Sequence, residues 1–256
     1  NKKKIYCNIK MILAIIIIII LFIHFFKNHK NNILFTFLIL ILSVYFLCYC
    51  DSNLYELESF TNNKKNIWLY WENKKNTKKP EYLNICYKTI IKNCSKNFNI
   101  NLLNEKTVYD FLPNLRNDIF KKLNIPQRAD YIRLKLLNKY GGIWLDSDII
   151  VLKDLSLITD KLNNYDFVGF GCHFKDCSKK GYPKPANWVM CSRVNSKLMN
   201  KCILNADLLL NIYNKDFFQK NYHVLGRNLL WKNISLLKSE GWDYYHFDSK
   251  CIDRDS

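Results

Sequence analysis

Asp146 and Asp148 interrupt a strongly apolar stretch, residues 143–152. Carboxylates in such a setting are costly to bury unless they are paired or bind a cation. In an extended chain, residues two apart share a face. The two side chains would then converge, and each would raise the other's pKa unless positive charge came between them. A divalent cation meets that need. Hard carboxylate oxygens favour Mg²⁺ or Mn²⁺, ions that commonly keep positions for substrate phosphates. The other reading makes Asp-Ser-Asp a surface turn between two strands, because these residues are good turn formers.

Further polar candidates lie on either side. Asp130 and Arg133 are three apart on an expected helix and reach one ligand from the same face, or else form an intrahelical salt bridge of small worth. Arg128, one turn earlier, either contacts the same ligand or braces the fold. Trp71 ends the first expected strand, where open α/β sheets bind ligands, and competes with Trp68 for a place in the core. Asn187 and Trp188 precede a later strand and could face the same site, Trp188 reading more naturally as core. His173 and His223 are lone histidines and read as structural. No Ser-His-Asp or Cys-His arrangement suggests itself.

The elements that must position these residues alternate. Residues 66–71 read as a strand, and 81–94 as a helix opened by Pro80. Residues 98–103 read as a strand, and 105–123 as broken helix interrupted at Pro113. Asn124 and Pro126 open a clear helix with Ala129, Ile132, Leu136 and Tyr140 at helical spacing, and Gly141-Gly142 closes it. The apolar runs 143–145 and 149–152 flank Asp-Ser-Asp as strands. Segments 166–171, 188–192 and 242–247 read as strands, and 195–213 and 226–238 as helices. This alternation predicts an α/β layer fold with a mainly parallel sheet.

Composition narrows the function. The formal charge is +17, but Lys travels with abundant Asn and Ile, a bias that an AT-rich genome produces without selection for a ligand. No basic helix with interleaved aromatics and no zinc-finger spacing is present, so nucleic-acid binding is not expected. An anionic donor or membrane surface accounts for part of the charge. The apolar runs 11–26 and 33–50 predict an N-terminal membrane anchor, one span or two, followed by a polar stalk at 51–65 and a domain at 66–256. Lysines flank every side of these runs; one effective span with a lumenal domain is favoured, and a hairpin would leave the domain cytosolic. Asn93-Cys94-Ser95 and Asn233-Ile234-Ser235 match glycosylation acceptors and agree with a lumen. Among the ten cysteines, Cys86 with Cys94 and Cys172 with Cys177 are near enough in sequence to pair; the alternative is buried thiols.

The run Arg128-Ala129-Asp130-Tyr131-Ile132-Arg133, continuing through Tyr140-Gly141-Gly142-Ile143-Trp144-Leu145 to Asp146-Ser147-Asp148, resembles the signature of glycosyltransferases with an Asp-x-Asp sugar-binding region. These include initiating mannosyltransferases, capsular polysaccharide synthesis proteins and clostridial glucosylating toxins. Ile67-Trp68-Leu69-Tyr70-Trp71-Glu72, with Pro80 and the helix carrying Cys86, looks most like the capsular branch. The resemblance covers about residues 67–192. It implies a GT-A type fold, a retaining reaction, a UDP- or GDP-hexose donor, Mn²⁺ or Mg²⁺, and a glycan, lipid-linked or protein acceptor. By the same resemblance Asp148 is the direct metal ligand, and Asp146 serves ribose, sugar and metal-bound water. Asp130 and Arg133 grip the donor sugar, and Trp71 stacks on the base. That makes Asp130, Arg133 and Asp146 the catalytic set, with Trp71, Arg128 and Asn187 completing substrate binding.

Two departures stand out. Where the family often carries Gly-Pro near the acceptor, this chain reads His223-Val224-Leu225-Gly226-Arg227. It also stops at Ser256, soon after His246-Phe247-Asp248, whereas relatives usually continue, so a truncated C-terminus is expected. Both departures motivate an alternative: a membrane-anchored, non-catalytic nucleotide-sugar-binding or scaffold protein of the same fold.

Overall fold

Six strands, β1 (Lys65–Tyr70), β2 (Phe98–Leu103), β3 (Gly142–Leu145), β4 (Phe167–Phe170), β5 (Ala186–Ser192) and β6 (Tyr245–Phe247), form one sheet in the order β2-β1-β3-β5-β4-β6. The structure is a computed structural model that describes residues 64–171 and 184–247. Five strands run one way. β5 alone is reversed, pairing antiparallel with both β3 and β4. The sheet is therefore mixed and mostly parallel, as the alternation of elements leads one to expect.

β1 shows why the frame is stable. Ile67 to Tyr70 are all buried, the mark of a central strand covered on both faces. Trp68 and Tyr70 enter one core with Trp144 and Met190. Ile67 and Leu69 enter the other with Ile143, Leu145 and Cys191. The second core is roofed by helix α1 (Tyr82–Cys94), through Leu83, Tyr87 and Ile90. Between β2 and β3 come two four-residue helices, α2 (Val108–Phe111) and α3 (Ile119–Lys122), with Pro113 between them as the broken pattern predicts, and then α4 (Ile125–Tyr140). After β3 follow α5 (Ser156–Asp160) and a 3₁₀ turn (Lys161–Asn163). After β5 follow α6 (Lys197–Ile212), α7 (Lys215–Lys220) and α8 (Arg227–Ser239). α4, α6 and α8 close the first core through Tyr131, Leu136, Cys202, Ala206, Leu230 and Ile234.

α4 is the element that matters most for function, and its ends explain themselves. The Asn124 side chain accepts from Gln127 N–H at 3.0 Å, while Gln127 Oε1 accepts from Asn124 N–H at 3.4 Å. This is a reciprocal capping box, with Pro126 in the first turn. Gly141 stops the helix at φ 64° and ψ −163°, a region open essentially to glycine. At Gly142 (φ 94°) a Cβ would fall 2.3 Å from Asn66 O, so only glycine lets β3 enter beside β1.

Several sequence expectations are corrected. Residues 149–152 are not a strand: Ile149 N–H donates to Asp146 O at 3.2 Å, closing a turn, and the chain leaves the sheet there. Cys86 and Cys94 are both free and buried. Eight positions apart on one helix they are separated by about 12 Å, beyond the reach of a disulfide. Asn233 is wholly buried, accepting from Asn205 and donating to Leu229 O, so its triplet cannot carry a glycan on the folded chain. Asn93 is held by the carbonyls of Thr89 and Val151. α5 and α7 were not anticipated. Cys172, Cys177 and His173 lie outside the described residues, as do both apolar runs of the expected anchor and nearly all of the stalk, whose last residue begins β1. Among the described residues no helix is long and apolar enough to cross a membrane.

Candidate active site

The path of the chain creates a cleft at the C-terminal ends of β1 and β3. From β1 the chain moves outward to β2, then returns across β1 to β3. The connections diverge there, and such a switch point is where open α/β sheets bind ligands. β1 delivers Trp71 and β3 delivers Asp146 to this edge. The reversed β5 begins where β3 ends, so Asn187 arrives at the same place; Asp146 N–H donates to Trp188 O at 2.9 Å. Ser147 Oγ donates to Tyr70 O at 2.9 Å and ties the Asp-Ser-Asp turn to β1.

Arg133 organises the polar centre. Its side chain is 5 % exposed, and its guanidinium lies 4.7 Å from the Trp144 ring. Nη1 donates to Asp130 Oδ1 at 2.9 Å and Nη2 to Asp146 Oδ1 at 2.7 Å. Trp144 Nε1 donates to the same Asp146 oxygen at 2.8 Å, and Asn187 Nδ2 to Asp130 Oδ1 at 2.9 Å. Arg133 Nε is buried without a partner. The three residues proposed as catalytic from the sequence therefore form one ion-paired cluster, with Asn187 joined to it.

Burial raises the Asp130 carboxyl to about 6, against the pull of Arg133 and with help from the charge of Asp146. Asp146 is also raised, first by desolvation, then opposed by Arg133 and Trp144 and assisted by Asp148. The two aspartates of the turn sit in different settings, contrary to the shared face of an extended chain. Asp146 is partly buried and anchored. Asp148 is exposed and makes no hydrogen bond or ion pair with the described residues.

The donor set suits a divalent ion only in part. Among the described residues no group of three His, Cys, Asp or Glu side chains surrounds a common point. Asp148 has both oxygens open and Asp146 one, which is the supply expected for Mg²⁺ or Mn²⁺ bound by one or two carboxylates with water and phosphate oxygens completing the shell.

Trp71 opens on a pocket of about 340 Å³ between the ends of β1 and β2, shared with Asn73, Lys79, Tyr87, Glu105 and Lys106. Trp71 N–H donates to Leu103 O at 3.0 Å, and its indole N–H donates to Asn73 Oδ1 at 2.8 Å. Trp68, its rival, is fully buried and bonded to Gly141 O. Tyr87 lies against Ser147, so pocket and turn are contiguous. Arg128 stands apart: Nε and Nη2 bind the Glu72 carboxylate, and Nη1 binds the Leu123 and Phe120 carbonyls. With every nitrogen engaged it braces the exit of β1 against the start of α4.

Three residues of the cleft escaped the sequence reading. Gln127, 1 % exposed, donates from Nε2 to the carbonyls of Phe218 (2.8 Å), Tyr222 (3.2 Å) and Asn221 (3.3 Å). It clamps the loop before α8 one turn from Asp130. That loop sets Tyr222 near the site, where burial and then the charges of Asp130 and Asp146 push its phenol up. Gly226, in the stretch compared with Gly-Pro, packs directly on Asp130 and Asn187. Only Gly226 carried a signal in the sequence.

Among solved structures the chain is similar to the PaToxG glycosyltransferase, at 17% identity and a TM-score of 0.48, over 67% of this chain and 68% of that one. No functionally curated protein matches it. The profile described as capsular polysaccharide synthesis protein matches residues 43–227, a span that includes the whole cleft from Trp71 to Gly226. The chain belongs to the capsular polysaccharide synthesis protein family.

Proposed function

We propose that this protein is a metal-dependent, retaining glycosyltransferase of polysaccharide synthesis with a GT-A type fold. It moves a hexose from a UDP- or GDP-sugar to a glycan, lipid-linked or protein acceptor. The observation that carries the reading is Arg133, buried and bridging Asp130 to Asp146 at the switch point of the sheet, with Nε left over. A structural ion pair has no need of a third carboxylate, Asp148, standing open two residues away.

Asp148 and Asp146 would hold the ion, whose contribution is to neutralise the diphosphate leaving group. Trp144 and Arg133 fix Asp146 Oδ1, so its other oxygen faces ribose and sugar hydroxyls in a set geometry. Asn187 and Arg133 do the same for Asp130. A preorganised polar site of this kind stabilises developing charge without reorganisation. Trp71 stacks on the base, and Lys79 and Lys106 answer phosphate charge at the pocket rim. Both carboxylates are ion-paired to Arg133 through Oδ1, which draws off the charge that a nucleophile needs. A same-face displacement fits better: the acceptor oxygen bonds to the anomeric carbon as the diphosphate leaves, and the hydroxyl proton passes to the departing phosphate oxygen. The runs 11–26 and 33–50 are proposed to anchor the protein in a membrane, one effective span leaving the domain lumenal and a hairpin of both leaving it cytosolic, on the anionic leaflet.

The test is binding across a panel of nucleotide-sugars with and without Mn²⁺, followed by proton NMR of the product. Metal-dependent binding of one donor, lost in Asp148→Ala, and a retained linkage are expected. Metal-independent binding or an inverted linkage would sink the respective part of the proposal.

A further inference from the structure

Between Asp148 and Lys153 only Val151 is buried. Its N–H donates to Thr89 Oγ1 at 3.1 Å and its carbonyl accepts from Asn93 Nδ2 at 2.7 Å, pinning the segment along α1. With Val151 turned inward, its neighbours Ile150 and Leu152 face out, 56% and 79% exposed. The adjoining stripe of α1, at helical spacing from Thr89, carries Tyr82 and Ile85, 51% and 60% exposed, and then Lys92, with Lys96 in the turn just after the helix. Lys153 follows Leu152. One face thus presents four open apolar side chains rimmed by three exposed lysines. Scattered single apolar residues need no explanation, but a contiguous patch with a polar rim marks an interaction surface.

We infer that this face docks on an anionic bilayer surface, the apolar side chains entering the headgroup boundary and the lysines meeting lipid phosphates. Charge and apolarity are combined here as interfacial binding requires. The chain itself supplies a second argument, which rests on the proposed anchor. The described residues begin at Lys64, whose Nζ donates to Ser95 O at the C-terminal end of the same helix. The described residues therefore start near this face, the side to which the proposed anchor would attach.

The test is acetylation footprinting of the full chain, reconstituted in vesicles of phosphatidylcholine alone or with phosphatidylglycerol. Lys92, Lys96 and Lys153 are expected to react several-fold more slowly in the anionic vesicles, while Lys215 on the other side of the sheet does not change. The double variant Ile150→Glu/Leu152→Glu should lose that protection while binding nucleotide as the parent does. Equal reactivity in the two vesicles overturns the inference. So does protection that appears without lipid and grows with protein concentration, which assigns the face to a second copy. Flotation with neutral vesicles reads the anchor separately, so its failure is not confused with failure of the face.

Discussion

A methyl group on Gly226 would lie 2.5 Å from Asp130 Oδ2 and 2.8 Å from Asn187 Nδ2. The tight space beside Asp130 and Asn187 excludes a larger residue at Gly226. Gly226→Ala must push the loop before α8 off the cluster or tilt Asp130 away from Arg133. Overpacking of this kind costs about 1–3 kcal/mol. Thermal unfolding should fall by about 2–4 °C per kcal/mol, and donor binding should weaken. Unchanged melting and binding would show that the loop yields freely and that Gly226 does not shape the site.

The two aspartates of the turn should separate cleanly on mutation. Asp146→Ala strips the acceptor from Trp144 Nε1 and one carboxylate from buried Arg133. Unsatisfied buried donors cost about 1–3 kcal/mol each, the Arg133 arm less because the Asp146 side chain is 37% exposed. Asp148→Ala removes an exposed group and should leave denaturant unfolding within about 0.5 kcal/mol of the parent. It should nevertheless abolish the Mn²⁺ dependence of nucleoside diphosphate binding in calorimetry. An Asp148→Ala protein that binds Mn²⁺-nucleotide normally would remove Asp148 from the metal site.

What could be read from the sequence is what local chemistry decides. α4 was legible at both ends because Asn124, Pro126 and the paired glycines each act within a few residues. The grouping of Asp130, Arg133 and Asp146 came from the family resemblance and not from local chemistry, which left an intrahelical salt bridge open for the first two; one helix, one tight connection and one strand hold all three in the fold. Residues 149–152 misled because an apolar, β-branched run looks like a strand, whereas the decision was made by Thr89 and Asn93, about sixty positions away. Gln127 was invisible for the same reason: its three acceptors lie in α7 and the loop after it, more than ninety residues on. The reversal of β5, which delivers Asn187, has no local signature.

Asp130 gives the fold a pH dependence. Its folded value is raised from 3.8 to about 6, chiefly by burial. Between those pH values the folded protein keeps a proton that the unfolded chain has released, so stability falls as pH rises from about 4 to about 6 and then levels off. The shift corresponds to something on the order of 3 kcal/mol. Asp146, raised for the same reason, adds in the same direction. Urea unfolding in the presence of chelator should show this slope, and Asp130→Asn should flatten most of it. A slope of equal size in the Asn variant would place the titration elsewhere.

Trp71 is the remaining test of how the cleft divides its work. The ring is half-buried, its indole N–H is held by Asn73, and it borders a pocket that meets the Asp-Ser-Asp turn through Tyr87 and Ser147. A ring fixed in this way offers a face for a nucleobase at little entropic cost. Base–aromatic stacking is worth about 1–3 kcal/mol by alanine substitution, so Trp71→Ala should weaken free nucleoside diphosphate binding by roughly 5- to 150-fold. Because Trp71 makes its hydrogen bonds to Asn73 and Leu103 and not to the cluster around Arg133, the Mn²⁺ dependence of what binding remains should be intact. Trp71→Phe should recover most of the affinity, since a planar ring is enough for stacking. If instead Trp71→Ala leaves nucleotide affinity unchanged but lowers the melting temperature, the ring is a packing residue and the base must be sought on the other side of the turn.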